Sequence, residues 1–102
     1  MTLVTVLYPQ TATSRFDYGY YLQTHIPMVK EYWTPMGLQQ VDILRGTASM
    51  DGGAPAFALM AVLHFTSQED LQNALETHGN PVMADIPNFT DVEPLLQMNQ
   101  SE

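Results

Sequence analysis

His25 and Asp85 are the residues best suited to move a proton in this chain. His25 stands in the stretch YLQTHIPMV, two residues before a proline. An imidazole titrates near neutrality, and its neutral ring donates from one nitrogen while accepting at the other. That suits a general acid or base in an apolar pocket. A plainer role fits as well: a buried histidine that satisfies a backbone carbonyl freed by Pro27. Asp85 is the acidic residue of the mostly apolar run PVMADIPNF. A carboxylate there either orients an imidazole, as in catalytic triads, or acts as a cap or turn residue ahead of Pro87-Asn88. Tyr8, Tyr18, Tyr20, Tyr21, Tyr32 and Trp33 supply hydroxyl and indole donors, for a pocket lining or for a core whose polar tips reach water. His64, mid-strand among apolar neighbours, reads as a core or dimer-interface histidine. His78 reads as a helix-end residue whose charge suits the dipole.

Other chemistries find little support. The three histidines are far apart, with no HxxxH or HExxH pair, so no metal site is expected. There is no glycine-rich phosphate loop and no GxSxG elbow, and no cofactor is expected. Cysteine is absent, which removes thiolate chemistry and disulfides. The net charge is −8, and Arg15, Lys30 and Arg45 are the only basic residues. Nucleic acid and anionic membranes are therefore disfavoured as partners, since phosphate binding needs clustered Lys and Arg. A small, neutral, hydrophobic molecule is the expected ligand. No apolar run is long enough to span a bilayer, and the first residues, MTLVTVLYPQ, read as a strand and not a signal peptide. A cytoplasmic location fits these features.

The elements that must position His25 and Asp85 can be read in order. With 102 residues, the chain is expected to be a single domain, 1–102. Residues 2–8 form a β-branched strand stopped by Pro9. Phe16 to Trp33 is helical: Tyr18, Tyr21, Leu22, His25, Val29, Tyr32 and Trp33 recur at three- and four-residue steps on one side. Asp17 is placed to cap it. Pro27 predicts a kink or break, with Thr24 capping the second segment, and Pro35 with Gly37 ends the element. Strands follow at 38–45 and 57–65, joined by a hairpin loop containing Asp-Gly-Gly. Ser67 and Asp70 open a second helix, which Gly79 and Asn80-Pro81 are expected to close before a short extra turn up to Ile86. A last strand runs from about Asp91 to Met98, confined by Pro94 to an edge or bulge, with a frayed tail.

Strand, helix, strand, strand, helix, strand is the ferredoxin-like βαββαβ order of an α+β protein. Four antiparallel strands carry both helices on one face. The strand 57–65 is apolar on both faces, so the face opposite the helices needs a cover. A two-fold homodimer with packed sheets is the simplest one.

The chain resembles the EthD-like proteins of the dimeric α+β barrel superfamily. The resemblance rests on VTVLYPQ, FDYGYYLQTHIPMV, LRG, FALMAVLHFTSQEDLQNAL and MADIPNFTDVEP, and covers almost the whole sequence. Its signature is Tyr20, Tyr21, His25 and Pro27, joined by Asp85, Asn88 and Phe89. It implies ferredoxin-like subunits that dimerise into a barrel. The founding member belongs to an alkyl-ether degradation system beside a cytochrome P450. Related barrels include cofactor-free monooxygenases, cyclases, decarboxylases and lactone isomerases, several of which use a histidine in an apolar cleft. The resemblance favours His25 as a site residue; with it the candidate catalytic residues are His25 and Asp85, and the candidate substrate contacts are Tyr8, Tyr21, Tyr32, Trp33 and Phe89. Two readings follow: a cofactor-independent lyase, isomerase, cyclase or monooxygenase, or a non-catalytic binding or accessory protein that assists an oxygenase.

Overall fold

A computed structural model describes all 102 residues, Met1–Glu102. The elements are β1 (Thr2–Pro9), helix α1 (residues 18–33), β2 (Leu38–Arg45), β3 (Phe57–Phe65), α2 (Gln68–Asp85) and β4 (Leu95–Gln100). The strands form one antiparallel sheet in the order β2-β3-β1-β4, so the ferredoxin-like expectation holds. Alternation along the two central strands sets the layers. Val4 pairs with Leu63 and Val6 with Ala61. These side chains join Tyr8, Phe65, Tyr21, Val29, Trp33, Leu71 and Val82 in a single core between sheet and helices. The other sheet face has no element over it. Leu44, Met60, Leu7 and Leu95 align across all four strands as an apolar row there. No helix is long and apolar enough to cross a membrane.

Asp17 caps α1 as its position predicts, accepting from the Tyr20 N–H at 3.0 Å. Pro27 does not break the helix, and the irregularity expected there takes the form of a π-turn just before it. Residues Tyr21–His25 widen into a π-turn, in which the Ile26 N–H donates to the Tyr21 carbonyl, and the α-helix resumes over Ile26–Trp33. The wider turn gives the proline ring room that a regular α-turn denies it. Thr24 makes no cap. The extra residue also rotates the buried stripe, which is Tyr21, His25, Ile26, Val29 and Trp33. Leu22, expected on that stripe, is 52% exposed, and Tyr18 and Tyr32 are only partly buried. Gly37 ends the element at φ 109°, where an added Cβ would meet Thr66 Oγ1 at 2.8 Å and Asp70 Cβ at 2.9 Å. Only glycine fits that position.

α2 starts as expected, with Ser67 accepting from the Asp70 N–H at 3.1 Å. It does not stop at Gly79. His78 leaves the helical region at φ −132°, ψ 25°, and the helix then continues to Asp85. The kink explains why Pro81 is tolerated. Pro81 falls in the first turn of the resumed segment, where an amide has no intrahelical partner to lose. His78 is thus a kink residue and not a helix-end one. β4 starts later than the sequence suggests, directly after Pro94, and keeps Asn99 and Gln100 paired with β1 where a frayed tail was expected. It is an edge strand, and its proline stands outside the ladder.

Candidate active site

The segment after α2 is tied to the start of α1. Phe16 bridges Thr90, the Asp17 N–H donates to the Phe89 carbonyl at 2.7 Å, and Thr90 Oγ1 donates to the Arg15 carbonyl at 2.7 Å. The Arg15 N–H donates to Asp91 Oδ1 at 2.8 Å. These bonds hold the end of α2 and the 3-10 turn Ile86–Asn88 beside the π-turn. Around them packs an aromatic cluster of Tyr8, Phe16, Tyr21 and Phe89, with ring centroids 5.1 to 5.8 Å apart. Edge-to-face pairs of this kind add stability beyond burial.

His25 sits inside this frame and is 4% exposed. Its Nδ1 lies 2.9 Å from Asp85 Oδ2. The other carboxylate oxygen, Oδ1, accepts from the Tyr20 hydroxyl at 2.6 Å and from Asn88 Nδ2 at 2.9 Å. Burial works to raise the Asp85 pKa, but the bonds from Tyr20, Asn88 and His25 outweigh it and hold the carboxyl below its usual range. An ionised carboxylate only accepts, so Nδ1 carries the proton. Burial pushes His25 below its ordinary 6.5, against the pull of Asp85. The ring is therefore neutral at pH 7, with Nδ1–H on Asp85 and a lone pair on Nε2. Nε2 has no partner in the protein, yet it is not a sealed atom. That is the arrangement of a general base whose carboxylate fixes its tautomer. Phe89 lies 4.6 Å from the imidazole and Tyr21 stacks on it at 5.4 Å. Burial pushes the phenols of Tyr8 and Tyr21 well up, so both remain donors, and the bond to Asp85 raises Tyr20.

The imidazole forms part of the wall of a cavity of about 50 Å³ between the helices and the sheet. Apart from His25 the lining is hydrophobic, with Tyr8, Tyr21, Val29, Trp33, Leu63 and Leu71 among it. Met83 and Leu96 border this cavity and also two surface grooves of about 380 and 500 Å³ on the β4 side. Both side chains are about half exposed. No group of three or more His, Cys, Asp or Glu side chains converges anywhere in the chain.

The fold brings together His25, Asp85, Tyr8, Tyr21 and Trp33, with Phe89 behind the imidazole. It does not bring in Tyr32, whose ring lies against His78 at 4.7 Å, outside the cavity lining. Tyr20 and Asn88, both donors to Asp85, are not paired with it by sequence pattern alone. Tyr20 precedes His25 by five residues, a step that an α-helical period puts on another face and that the π-turn brings round. For Asn88 the spacing to Asp85, three residues across a proline turn, was the available signal.

No family model matches the chain, and none of the curated proteins does. Solved structures do. An EthD-like protein from Ralstonia eutropha JMP134 is 36% identical over 97% of this chain and 89% of its own, with a TM-score of 0.90. An EthD-family protein from Bacillus halodurans C-125 is 24% identical over 100% of this chain and 99% of its own, with a TM-score of 0.80. SnoaB, a cofactor-independent oxygenase from Streptomyces nogalater, shares the fold at 14% identity and a TM-score of 0.59, over 99% of this chain and 93% of its own. The identity and near-complete overlap with the Ralstonia protein place this chain in the EthD-like family of the dimeric α+β barrel superfamily.

Proposed function

We propose that this protein binds a small, neutral, hydrophobic organic compound and converts it by cofactor-independent acid/base chemistry at His25. The observation that carries the reading is the Asp85–His25 pair on the wall of an apolar cavity, with Nε2 unpartnered. Nε2 takes a proton from the bound compound, and Asp85 stabilises the imidazolium that forms. Exclusion of water by the apolar lining strengthens both effects. Met83 and Leu96 form the mouth, and an unbranched methionine turns aside at little cost to join cavity and groove. The cavity is small against pockets of roughly 300–1,000 Å³ that hold drug-sized ligands, so entry depends on that movement.

The functional unit is a homodimer closed through the open sheet face, where the apolar row of Leu44, Met60, Leu7 and Leu95 would otherwise meet water. The acidic, cysteine-free composition suits the cytoplasm and gives no purchase for nucleic acid. Work in a catabolic or secondary-metabolite pathway, ether degradation included, fits such a ligand. The second reading is a non-catalytic carrier that assists an oxygenase, favoured by the small closed cavity. A panel of phenols, lactones and cyclic ethers, screened by thermal shift and then for product, separates the two. Catalysis predicts that native protein binds and consumes a compound that His25→Ala still binds but leaves unchanged. Binding with no consumption by either form supports the carrier, and binding of nothing removes both.

A further inference from the structure

Gly79 lies inside α2, where glycine destabilises a helix relative to alanine. Its φ is not positive, so the backbone does not demand a glycine. Crowding does not demand one either: outside the helix backbone, an added Cβ would meet only Leu75 Cβ, at 4.0 Å. What the missing side chain does is leave space. Leu71, Leu75, Gly79 and Met83 follow at four-residue steps and line the groove of about 380 Å³. Its sheet side is Val4 of β1 with Leu96 and Met98 of β4. This groove continues the His25 cavity, because Val4, Leu71, Leu75, Met83 and Leu96 border both. Gly79 and Met98 border the groove alone. Leu75, Met83, Leu96 and Met98 are exposed large apolar side chains gathered around this one groove, a concentration that marks a binding surface. The other groove at Met83 and Leu96 differs, with Asp91 and Glu93 in its wall.

We infer that the ligand is a neutral compound with an unbranched apolar tail, whose head enters the His25 cavity and whose tail lies in the groove past Gly79 towards Met98. This rests on the reading of the cavity as a ligand site, and it names the class of compound that site takes. The cavity offers the head only about 50 Å³, so the bulk of the compound lies outside it. Cavity and groove together reach the roughly 300–1,000 Å³ of ordinary ligand pockets. A compact molecule would leave the apolar groove wet. Methionines on two sides suit a flexible chain, since their own unbranched side chains adjust to it. Val4, Leu96 and Met98 stand on the helix side of the sheet, whereas the homodimer closes through the opposite face, so the groove stays open to a ligand. Gly79 is then a specificity-determining residue, which sets the width of the passage for the tail and takes no part in proton transfer.

The probes are straight-chain 2-ketones from 2-butanone to 2-octanone, which keep one head and lengthen the tail. They are titrated into protein labelled with ¹³C at the methionine methyls, where Met83 and Met98 report on the groove. Affinity is expected to rise about three- to fourfold per added methylene, with the Met98 methyl shifting only for the longer members. Gly79→Leu, which fills the groove, is expected to bring the affinity for 2-octanone down to near that for 2-butanone. Affinity that does not grow with tail length, in a protein that still binds 2-butanone, overturns the tail and leaves the cavity reading standing. So does a rise that survives in Gly79→Leu with the Met98 methyl unmoved. A change of oligomeric state in Gly79→Leu by sedimentation assigns the groove to a second copy of the chain and likewise overturns the tail. Binding of no member of the series overturns both readings. Should Gly79→Leu fail to fold, Met98→Gln on the exposed edge strand takes its place, and an undiminished rise in that variant overturns the tail.

Discussion

The protein contains two histidine–aspartate pairs of nearly equal length, and they differ in everything else. His25 meets Asp85 at 2.9 Å with side chains 5% and 13% exposed, whereas His64 meets Asp42 at 2.8 Å with side chains 21% and 44% exposed. The first pair joins a helix to the end of another helix, inside a wall of aromatic rings. The second joins neighbouring strands on the open sheet face, with Gln40 as the other donor to Asp42. His25 is held through Nδ1, leaving Nε2 without a protein partner; His64 spends Nε2 on its aspartate. Distance alone therefore does not distinguish the two pairs. Burial, the nitrogen engaged and the number of donors on the carboxylate do so.

The strongest way to break the contrast is to remove the wall. Phe89 is fully buried and packs on His25, Tyr8, Tyr21 and Phe16. Phe89→Ala should cost about 3–5 kcal/mol in a denaturant titration. It should also make His25 titrate more like a solvated imidazole by NMR.

A smaller effect separates the carboxylates. Asp85→Ala leaves a buried imidazole without its acceptor and should cost about 2–3 kcal/mol, with loss of the single Nδ1–H tautomer in ¹⁵N spectra. Asp42→Ala, on a pair that is more exposed in the single chain, should cost less than Asp85→Ala. In the proposed dimer that face is covered, so sedimentation of Asp42→Ala should report a weakened dimer, and an unchanged dimer would place the interface elsewhere.

The smallest effect lies in the pH dependence. The folded pKa of His25 is below 6.5, so the unfolded chain binds the proton first and stability falls as pH drops from about 6.5. Asp85 is depressed below 3.8, and its contribution, present above that value, is lost as pH falls further. Gln40 first, then His64, depress Asp42 in the same direction, so Asp42 adds to this lower limb. Urea midpoints measured from pH 8 to 3 should show the upper limb in native protein and not in His25→Gln. A limb that persists in the variant would assign it elsewhere.

The sequence made the strands and the pair legible for physical reasons that also explain its misses. β1 and β3 carry unbroken β-branched or apolar runs bounded by Pro9 and Ser67, so period and length agreed. His25 stood out as the titratable residue on a helical apolar stripe, and Asp85 as the acidic residue of a mostly apolar run. What stayed hidden depended on backbone irregularity. The π-turn shifted Leu22 off the buried stripe and brought Tyr20 onto the site. The His78 kink let α2 pass Gly79 and Pro81, two residues that ordinarily stop a helix. Tyr32 went astray for the opposite reason. It keeps a regular helical period from His25, but the kinked helix offered it His78 as a partner outside the cavity.

The π-turn also makes the site sensitive to chain length. A regular α-helix turns by about 100° per residue. Losing one residue between Leu22 and Thr24 would restore the regular ladder, while swinging Tyr20 and Tyr21 about a quarter-turn from the face that carries Val29 and Trp33. The amino acids on both sides would be unchanged and the helix itself more ordinary, yet the Tyr20–Asp85–His25 relay could no longer assemble. For this segment, a one-codon deletion is a more severe change than most substitutions.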